Sequence, residues 1–120
     1  MDSSTLSLDE SITDFINMNE AGQVLALCKK HYAKDVVMLN DGKVFASSMQ
    51  ESFDKQKVFV DEIKESSVKL VSKEIEGNVS KLIFHYKMKN NKDQAFEFTG
   101  EHIQHWKNGK IIKEEYQTVK

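Results

Sequence analysis

The sequence predicts an α+β domain in which a curved antiparallel sheet wraps around three N-terminal helices. Two observations carry this prediction. Apolar residues recur mainly at helical spacing before residue 67 and alternate with polar residues after it. Turn sequences then divide the second half into four long segments, as expected for consecutive strands. At 120 residues the chain is expected to form a single domain, 1–120, that buries roughly two thirds of its unfolded surface.

Three segments have the pattern of amphipathic helices. Ser7-Leu8-Asp9-Glu10 has the spacing of a capping box and an acidic first turn, which predicts the start of the first helix. Residues 1–6 before it are expected to be frayed. Ser47 or Ser48 can cap the third helix. The expected buried positions are Leu8, Ile12, Phe15, Ile16 and Asn19 in the first helix, Ala21, Val24, Leu25, Cys28, His31 and Tyr32 in the second, and Phe53, Phe59, Val60 and Ile63 in the third.

The strands are separated by recognisable turns. A short hairpin, 36–39 and 43–45, is joined by Asn40-Asp41-Gly42 and lies between the second and third helices. The four long strands are predicted at 68–76, 79–89, 95–107 and 110–119, and their order predicts an antiparallel meander. Gly100 lies inside the longest strand, where glycine usually marks a bulge or a bend. A bent strand lets the sheet curl around a cavity, and the helices are available to cover that side.

Composition limits the partners. The formal net charge is −2, and all 17 basic residues are lysine, so the arginine forks that grip phosphates and base edges are missing. Nucleic-acid binding is therefore not expected. No apolar run reaches the length of a membrane span, and Cys28, the single cysteine, is expected to be a buried small hydrophobe. The first residues lack the features of a signal peptide, so a cytoplasmic protein is expected.

Two motifs carry a resemblance that covers nearly the whole chain. They are Tyr32-Ala33-Lys34-Asp35-Val36-Val37 and Trp106-Lys107-Asn108-Gly109-Lys110-Ile111. With the order of the elements, they resemble the nuclear transport factor 2-like superfamily and, within it, the SnoaL-like polyketide cyclase branch. The resemblance implies a cone, with a strongly bent sheet around the helices, a pocket at the wide end, and a homodimer through the outer face of the sheet. The superfamily contains ketosteroid isomerase, dehydratases, cyclases and members without catalysis, so the resemblance specifies the fold better than the activity.

The catalytic residues of the resembling enzymes match this chain only in part. Asn40 stands where the isomerase has its general-base aspartate, and an amide does not accept a proton near neutral pH. The first helix also lacks the tyrosine that serves as the isomerase oxyanion donor. The cyclase branch places its acid or base on the later strands, where this chain has His102 and Glu114.

Strand parity gives an independent view of the inner face, because residues of equal parity share a face. The even residues of the second to fourth long strands are mostly large and apolar, so they are expected to face the helices. They include Leu82, Phe84, Tyr86, Met88, Phe96, Phe98, His102, Gln104, Trp106, Ile112, Glu114 and Tyr116. A bulge at Gly100 would instead bring Glu101, Ile103 and His105 inward.

The polar residues of this inner face are the candidate site. Glu114 and His102 are the candidate catalytic acid or base, because an inward carboxylate needs a partner, water or a ligand. The candidate ligand-binding residues are Tyr32, Tyr86, Phe98, Gln104, Trp106 and Tyr116. The alternatives are that Glu114 stays hydrated at the rim or has a paired structural role, and that His102 has a structural role with its ring hydrogen-bonded to a tyrosine or a glutamine.

Metal and cofactor chemistry is not expected. His102 and His105 are three residues apart on a strand, so their side chains point to opposite faces, and no glycine-rich phosphate loop is present. Three hypotheses remain. The first is an enzyme that transfers a proton on an apolar carbonyl compound, the second is a non-catalytic module that binds a small apolar ligand, and the third is a protein-association domain.

Overall fold

The computed structural model describes residues 7–119, so the predicted fraying of residues 1–6 lies outside the described residues. The helices are α1 (Leu8–Glu20), α2 (Val24–His31) and α3 (Met49–Asp61). The strands are β1 (Tyr32–Asn40), β2 (Lys43–Ala46), β3 (Ile63–Glu76), β4 (Val79–Asn90), β5 (Ala95–Lys107) and β6 (Lys110–Val119). The predicted bounds of the last two strands are confirmed, and β3 begins five residues earlier than predicted.

One mixed sheet contains the six described strands in the order β2-β1-β6-β5-β4-β3. The predicted meander of β3 to β6 is antiparallel, as is the hairpin of β1 and β2. β1 lies parallel to β6, a pairing that joins the two halves of the chain. α3 packs against β1 and β2 at one end of the sheet and against β3 at the other. The sheet therefore curves around the helices, and the predicted cone-shaped α+β fold is confirmed.

The predicted helix starts are confirmed by their caps. In α1, the Glu10 amide donates to Ser7 Oγ at 3.2 Å, and the Ser7 amide donates to Glu10 Oε1 at 3.0 Å. In α3, the Glu51 amide donates to Ser48 Oγ at 3.0 Å. The end of α2 is corrected. The chain passes from helix to strand without a loop, so Tyr32 is the first residue of β1 rather than the last of a helical stripe.

Gly100 does not mark a bulge. The pairing of β4 with β5 runs without a shift from Val79 to Lys89, and Gly100 lies opposite Phe84. The even residues of both strands therefore stay on the inner face of the sheet. Leu82 and Phe84 of β4 are fully buried there. The alternative in which Glu101, Ile103 and His105 face inward is therefore wrong.

The register instead shifts between β5 and β6. His105 pairs with Lys113, whereas Trp106 pairs with Ile111, so β6 has one extra residue at this point. Ile111 consequently enters the core with no exposed surface, and Ile112 turns outward with 40% of its surface exposed. The prediction that Ile112 faces inward is wrong for this reason. Beyond the bulge Glu114 returns to the inner face, as predicted.

The core lies between the concave face of the sheet and the helices. Ile12 and Phe15 of α1 and Cys28 of α2 pack against it, and each is nearly or fully buried. None of the helices in residues 7–119 is long and apolar enough to cross a membrane.

Candidate functional site

An open cavity of about 470 Å³ lies between the helices and the concave face of the sheet. This volume is in the range of small-molecule sites. Apolar and aromatic side chains form most of its wall, and α3 contributes Phe59 and Val60 to it. α3 therefore directs much of its apolar face at the cavity rather than at packed core, which explains why Phe59 remains 43% exposed. Of the predicted site residues, those that line the cavity are Tyr32, Tyr86, Phe98, His102, Glu114 and Tyr116.

Glu114 lies at the closed, inner end of the cavity with only 2% of its surface exposed. The Tyr32 hydroxyl lies 2.9 Å from both of its carboxylate oxygens, and Gln104 Nε2 donates to Oε2 at 2.7 Å. His102 Nδ1 lies 3.5 Å from the same Oε2. The predicted alternative of a hydrated rim position is therefore wrong, and the carboxylate is buried with partners around it.

These partners determine the ionisation of Glu114. Burial alone would raise the pKa of its carboxyl group, because a low-dielectric environment disfavours the charged form. The charge of His102 in its protonated form and the hydrogen bonds from Gln104 and Tyr32 outweigh burial, so the pKa of Glu114 lies below its ordinary value. The same contacts raise the pKa of Tyr32 well above its ordinary value: burial comes first, followed by the Glu114 charge. Tyr32 thus remains a neutral phenol that donates to an ionised carboxylate.

The sequence predicts that Gln104 and Trp106 bind ligand, but neither residue lines the cavity. They lie behind Glu114 instead. Trp106 Nε1 donates to Ser80 Oγ at 2.9 Å, and Ser80 Oγ donates to Gln104 Oε1 at 2.9 Å. Since the single hydroxyl proton of Ser80 goes to Oε1, the amide of Gln104 is oriented with its NH₂ group towards Glu114. The two residues therefore support the carboxylate, and the ligand-contact prediction for them is corrected.

His102 connects this buried network to the cavity. Its Nε2 lies 2.8 Å from the Tyr86 hydroxyl, whose oxygen accepts a hydrogen bond from Asn19 Nδ2 at 3.2 Å. With Asn19 as donor, the phenolic proton of Tyr86 is free to go to Nε2, which places the ring proton of neutral His102 on Nδ1, facing Glu114. Nδ1 is buried, and it has no hydrogen-bond partner of good geometry among the described residues. Burial raises the pKa of Tyr86, so the phenol acts as a neutral donor.

Two residues of this network are absent from the predicted site. Asn19 is part of the predicted apolar stripe of α1, and an amide in such a stripe is a signal that it has a buried partner. Ser80 precedes Leu82 at even parity in β4, so it faces inward and is fully buried. Both positions are recognisable as inward-facing polar residues, but their partners become apparent only when β4, β5 and α1 are brought together.

Other residues considered in the sequence lie away from the inner cluster. His105 points to the outer face, where its Nε2 is 3.8 Å from Glu115 Oε2, so the two histidines face opposite ways as predicted. Between residues 7 and 119, no group of three His, Cys, Asp or Glu side chains has the arrangement of a metal site. Asn40 lines the cavity at its rim, and Asp41 is a turn residue with φ of 50°.

Comparison with known proteins identifies the fold. No family model and no curated protein matches the sequence. A candidate SnoaL-like polyketide cyclase from Mesorhizobium loti is similar, with a TM-score of 0.77 and 17% identity over 92% of this chain and 98% of that one. AclR, a candidate hydroxylase from Streptomyces galilaeus, has a TM-score of 0.78 and 10% identity over 96% and 80% of the two chains.

A third similar structure contains a small molecule. It is a protein with a ketosteroid isomerase-like fold from Catenulispora acidiphila in complex with trimethylamine, with a TM-score of 0.70 and 14% identity over 89% of this chain and 83% of that one. At these identities the likeness concerns the fold alone. It confirms the predicted resemblance at that level: the chain has the fold of nuclear transport factor 2-like and SnoaL-like proteins.

Proposed function

We propose that this chain binds a small, largely apolar molecule in the cavity, with a hydrogen-bonding group of the ligand directed to His102 and Tyr86. The observation that carries the proposal is the open volume of about 470 Å³ with a single buried polar cluster at its inner end. A domain that served only for protein association would have its interior filled by side chains. The open cavity therefore gives no support to the protein-association hypothesis. Apolar surface provides the affinity and the few polar groups provide the orientation.

The test is a fluorescence titration with 1-aminoanthracene, an uncharged aromatic probe. Val60→Trp places a large side chain in the cavity, since Val60 lines it. Val58→Trp is the matched control on the same helix, because Val58 is 64% exposed and does not line the cavity. We expect saturable binding by the wild type and the control and at least a tenfold loss in the Val60 variant, roughly the effect of 1.4 kcal/mol. Equal binding by both variants, or none by the wild type, would refute the proposal.

A catalytic role is a second candidate function, and the contact between His102 and Glu114 supports it. Both residues are predicted acid or base groups, and their surroundings favour different roles. The two Glu114 oxygens already accept hydrogen bonds from Tyr32 and Gln104, and its lowered pKa makes it a weak base. His102 Nε2 faces the Tyr86 hydroxyl at the cavity wall. We therefore propose that the oxygen of a bound carbonyl compound accepts the phenolic proton that Tyr86 otherwise directs at Nε2, that the freed Nε2 of His102 accepts the α-proton, and that Glu114 orients the imidazole.

Deuterium uptake separates catalysis from simple binding. The α-protons of 2-tetralone exchange with D₂O when the enolate forms, and NMR measures the rate against buffer alone. Catalysis requires uptake above the buffer rate that His102→Gln abolishes while 1-aminoanthracene still binds. Glu114→Gln should lower the rate, because it removes the carboxylate that orients the imidazole. A wild-type rate equal to that of buffer would refute the catalytic role, and the protein would then be a non-catalytic binding module.

The outer face of the sheet supports a proposal about assembly. Ile83 of β4 and Ile103 of β5 are diagonal neighbours on this face. Val37, Ile112 and Val119 add exposed apolar surface, each about 40% exposed. We propose that two copies associate through this face. Light scattering should give twice the monomer mass for the wild type and for Val58→Lys on α3, and the monomer mass for Ile103→Lys. A monomeric wild type would contradict the proposal.

A further inference from the structure

From the charges around the cavity we infer that its ligand is an amphipathic anion, with an apolar body inside and its acidic group held at the rim by Lys55. This inference rests on the proposed function, because it names the chemical class of the molecule that the cavity takes. It concerns the opposite end of the cavity from His102 and Glu114.

The rim is formed by cavity-lining residues that are themselves exposed. They are Gly22, Asn40, Lys55, Phe59, Lys64 and Ser66. Within the described part of the chain, the charged side chains of this rim are the two lysines. The described rim thus has positive charge on two sides of an apolar opening, from α3 and from β3.

Lys55 is the better placed of the two lysines. Its Nζ donates to the Phe45 carbonyl oxygen at 2.5 Å and lies 5.2 Å from the centroid of the Phe45 ring, which itself lines the cavity. These contacts hold the ammonium against the cavity wall. Lys64 forms an ion pair with Asp93 at 2.7 Å, whereas among residues 7–119 no carboxylate lies within 4 Å of Lys55 Nζ. The Lys55 ammonium therefore retains donors for an added anion.

The inner end of the cavity has the opposite charge. Glu114 is the cavity-lining carboxylate of the described residues, and its lowered pKa keeps it ionised at neutral pH. A second carboxylate placed beside it would be repelled in a medium of low dielectric constant. An uncharged oxygen group, in contrast, can accept the hydrogen bond of the Tyr86 hydroxyl in place of His102 Nε2. The ligand is thus oriented with its uncharged oxygen inside and its acidic group at Lys55, as in an oxo-carboxylic acid with a hydrocarbon body.

The experiment compares cis-parinaric acid with its methyl ester. The two fluorescent probes share the apolar chain and differ in the charge of the head group. Lys55→Met keeps most of the apolar stem, and Lys57→Met is the control on the same helix, where Lys57 pairs with Asp61 at 3.0 Å and does not line the cavity. We expect Lys55→Met to weaken binding of the acid about fivefold, which is the effect of losing an exposed ion pair. Binding of the ester should not change. Raising the salt from about 0.01 M to about 1 M should weaken binding of the acid and leave binding of the ester unchanged.

The outcomes separate this inference from the proposed function. If the acid and the ester bind equally well and Lys55→Met changes neither, the assignment of the anionic group to Lys55 is wrong, and the apolar cavity still stands as a binding site. If neither probe binds and 1-aminoanthracene also fails to bind, the proposed function itself is wrong. If Lys57→Met weakens the acid as much as Lys55→Met does, the effect is general surface charge, which also overturns the inference.

Discussion

The hydroxyl of Tyr32 lies 2.9 Å from each carboxylate oxygen of Glu114, and this contact joins the start of β1 to the middle of β6. Both side chains are at least 95% buried. The carboxylate can remain charged there because donors surround it, and Tyr32 is the donor that touches both oxygens. The contact therefore supports both the parallel pairing of the two strands and the ionised state of the candidate site.

Removing this hydroxyl should destabilise the fold. Tyr32→Phe keeps the ring, which packs edge-on against Phe15, and deletes only the donor to Glu114. We expect the free energy of unfolding to fall by about 1.5–3 kcal/mol, the range for hydrogen bonds to charged groups. Urea denaturation measures it, with Tyr116→Phe as the control, because the Tyr116 hydroxyl does not contact Glu114. Losses of equal size in the two variants would contradict the role assigned to Tyr32.

Glu114 should make stability depend on acid pH. The unfolded carboxyl takes up its proton near the ordinary pKa of 4.5, whereas the folded carboxyl, with its lowered pKa, stays ionised to lower pH. The unfolded state therefore binds more protons in this window, and the free energy of unfolding falls as the pH falls below about 4.5 until the folded group is protonated too.

Comparison with Glu114→Gln isolates this contribution from those of other carboxyl groups. The glutamine can still accept a hydrogen bond from Tyr32, and it cannot titrate. The difference between the wild-type and variant unfolding free energies should therefore decrease as the pH falls below about 4.5. Urea midpoints measured from pH 7 to pH 3 provide the test. A difference that stays constant across the whole range would show that Glu114 has no lowered pKa.

The sequence predicts much of the site because a strand has a simple period. Once β4 and β5 are located, even parity alone places Tyr86, Phe98 and His102 on the inner face. Parity also predicts that Glu114 faces inward. It does not predict that Ile112 faces outward, because the extra residue opposite Trp106 changes the parity of β6. A bulge of this kind depends on how two strands pair, and one strand read by itself does not reveal it.

The distinction between cavity wall and second layer also lies beyond the sequence. Gln104 and Phe98 have the same parity on the same strand, yet Phe98 lines the cavity and Gln104 does not. What separates them is their neighbours, since Gln104 is hydrogen-bonded to Ser80 and Glu114, whereas Phe98 stacks on Tyr86. These contacts involve distant parts of the chain, so local patterns do not contain them.

The hydrogen bonds behind Glu114 lead to a prediction about Ser80. This side chain is fully buried, and its hydroxyl satisfies both Trp106 Nε1 and Gln104 Oε1. Ser80→Ala would leave two buried polar atoms without partners, so we expect a loss of about 2–4 kcal/mol in urea denaturation. Ser72→Ala on β3 is the control, because Ser72 is exposed, and it should change stability by less than about 0.5 kcal/mol. A small loss at Ser80 would mean that water replaces the hydroxyl.

We expect Gly100 to determine the position of Tyr116 at the cavity wall. A Cβ atom added to Gly100 would lie 2.6 Å from the hydroxyl oxygen of Tyr116 and 2.8 Å from Cζ of its ring, closer than such atoms approach in proteins. The ring of Tyr116 lies 5.1 Å from that of His102 and lines the cavity, so it has to move into the cavity or against His102. We expect Gly100→Ala to lower stability by about 1–3 kcal/mol, the range for overpacking, and to weaken binding of 1-aminoanthracene.

A double-mutant cycle tests whether this effect acts through Tyr116. Tyr116→Ala removes the ring, so Gly100→Ala should then change the free energy of unfolding by less than about 0.5 kcal/mol, because the new methyl group enters open space. The interaction energy of the cycle should therefore be about as large as the loss in the single Gly100 variant. A loss that remains unchanged in the Tyr116→Ala background would show that Gly100 is required for the strand itself rather than for the room it leaves for the ring.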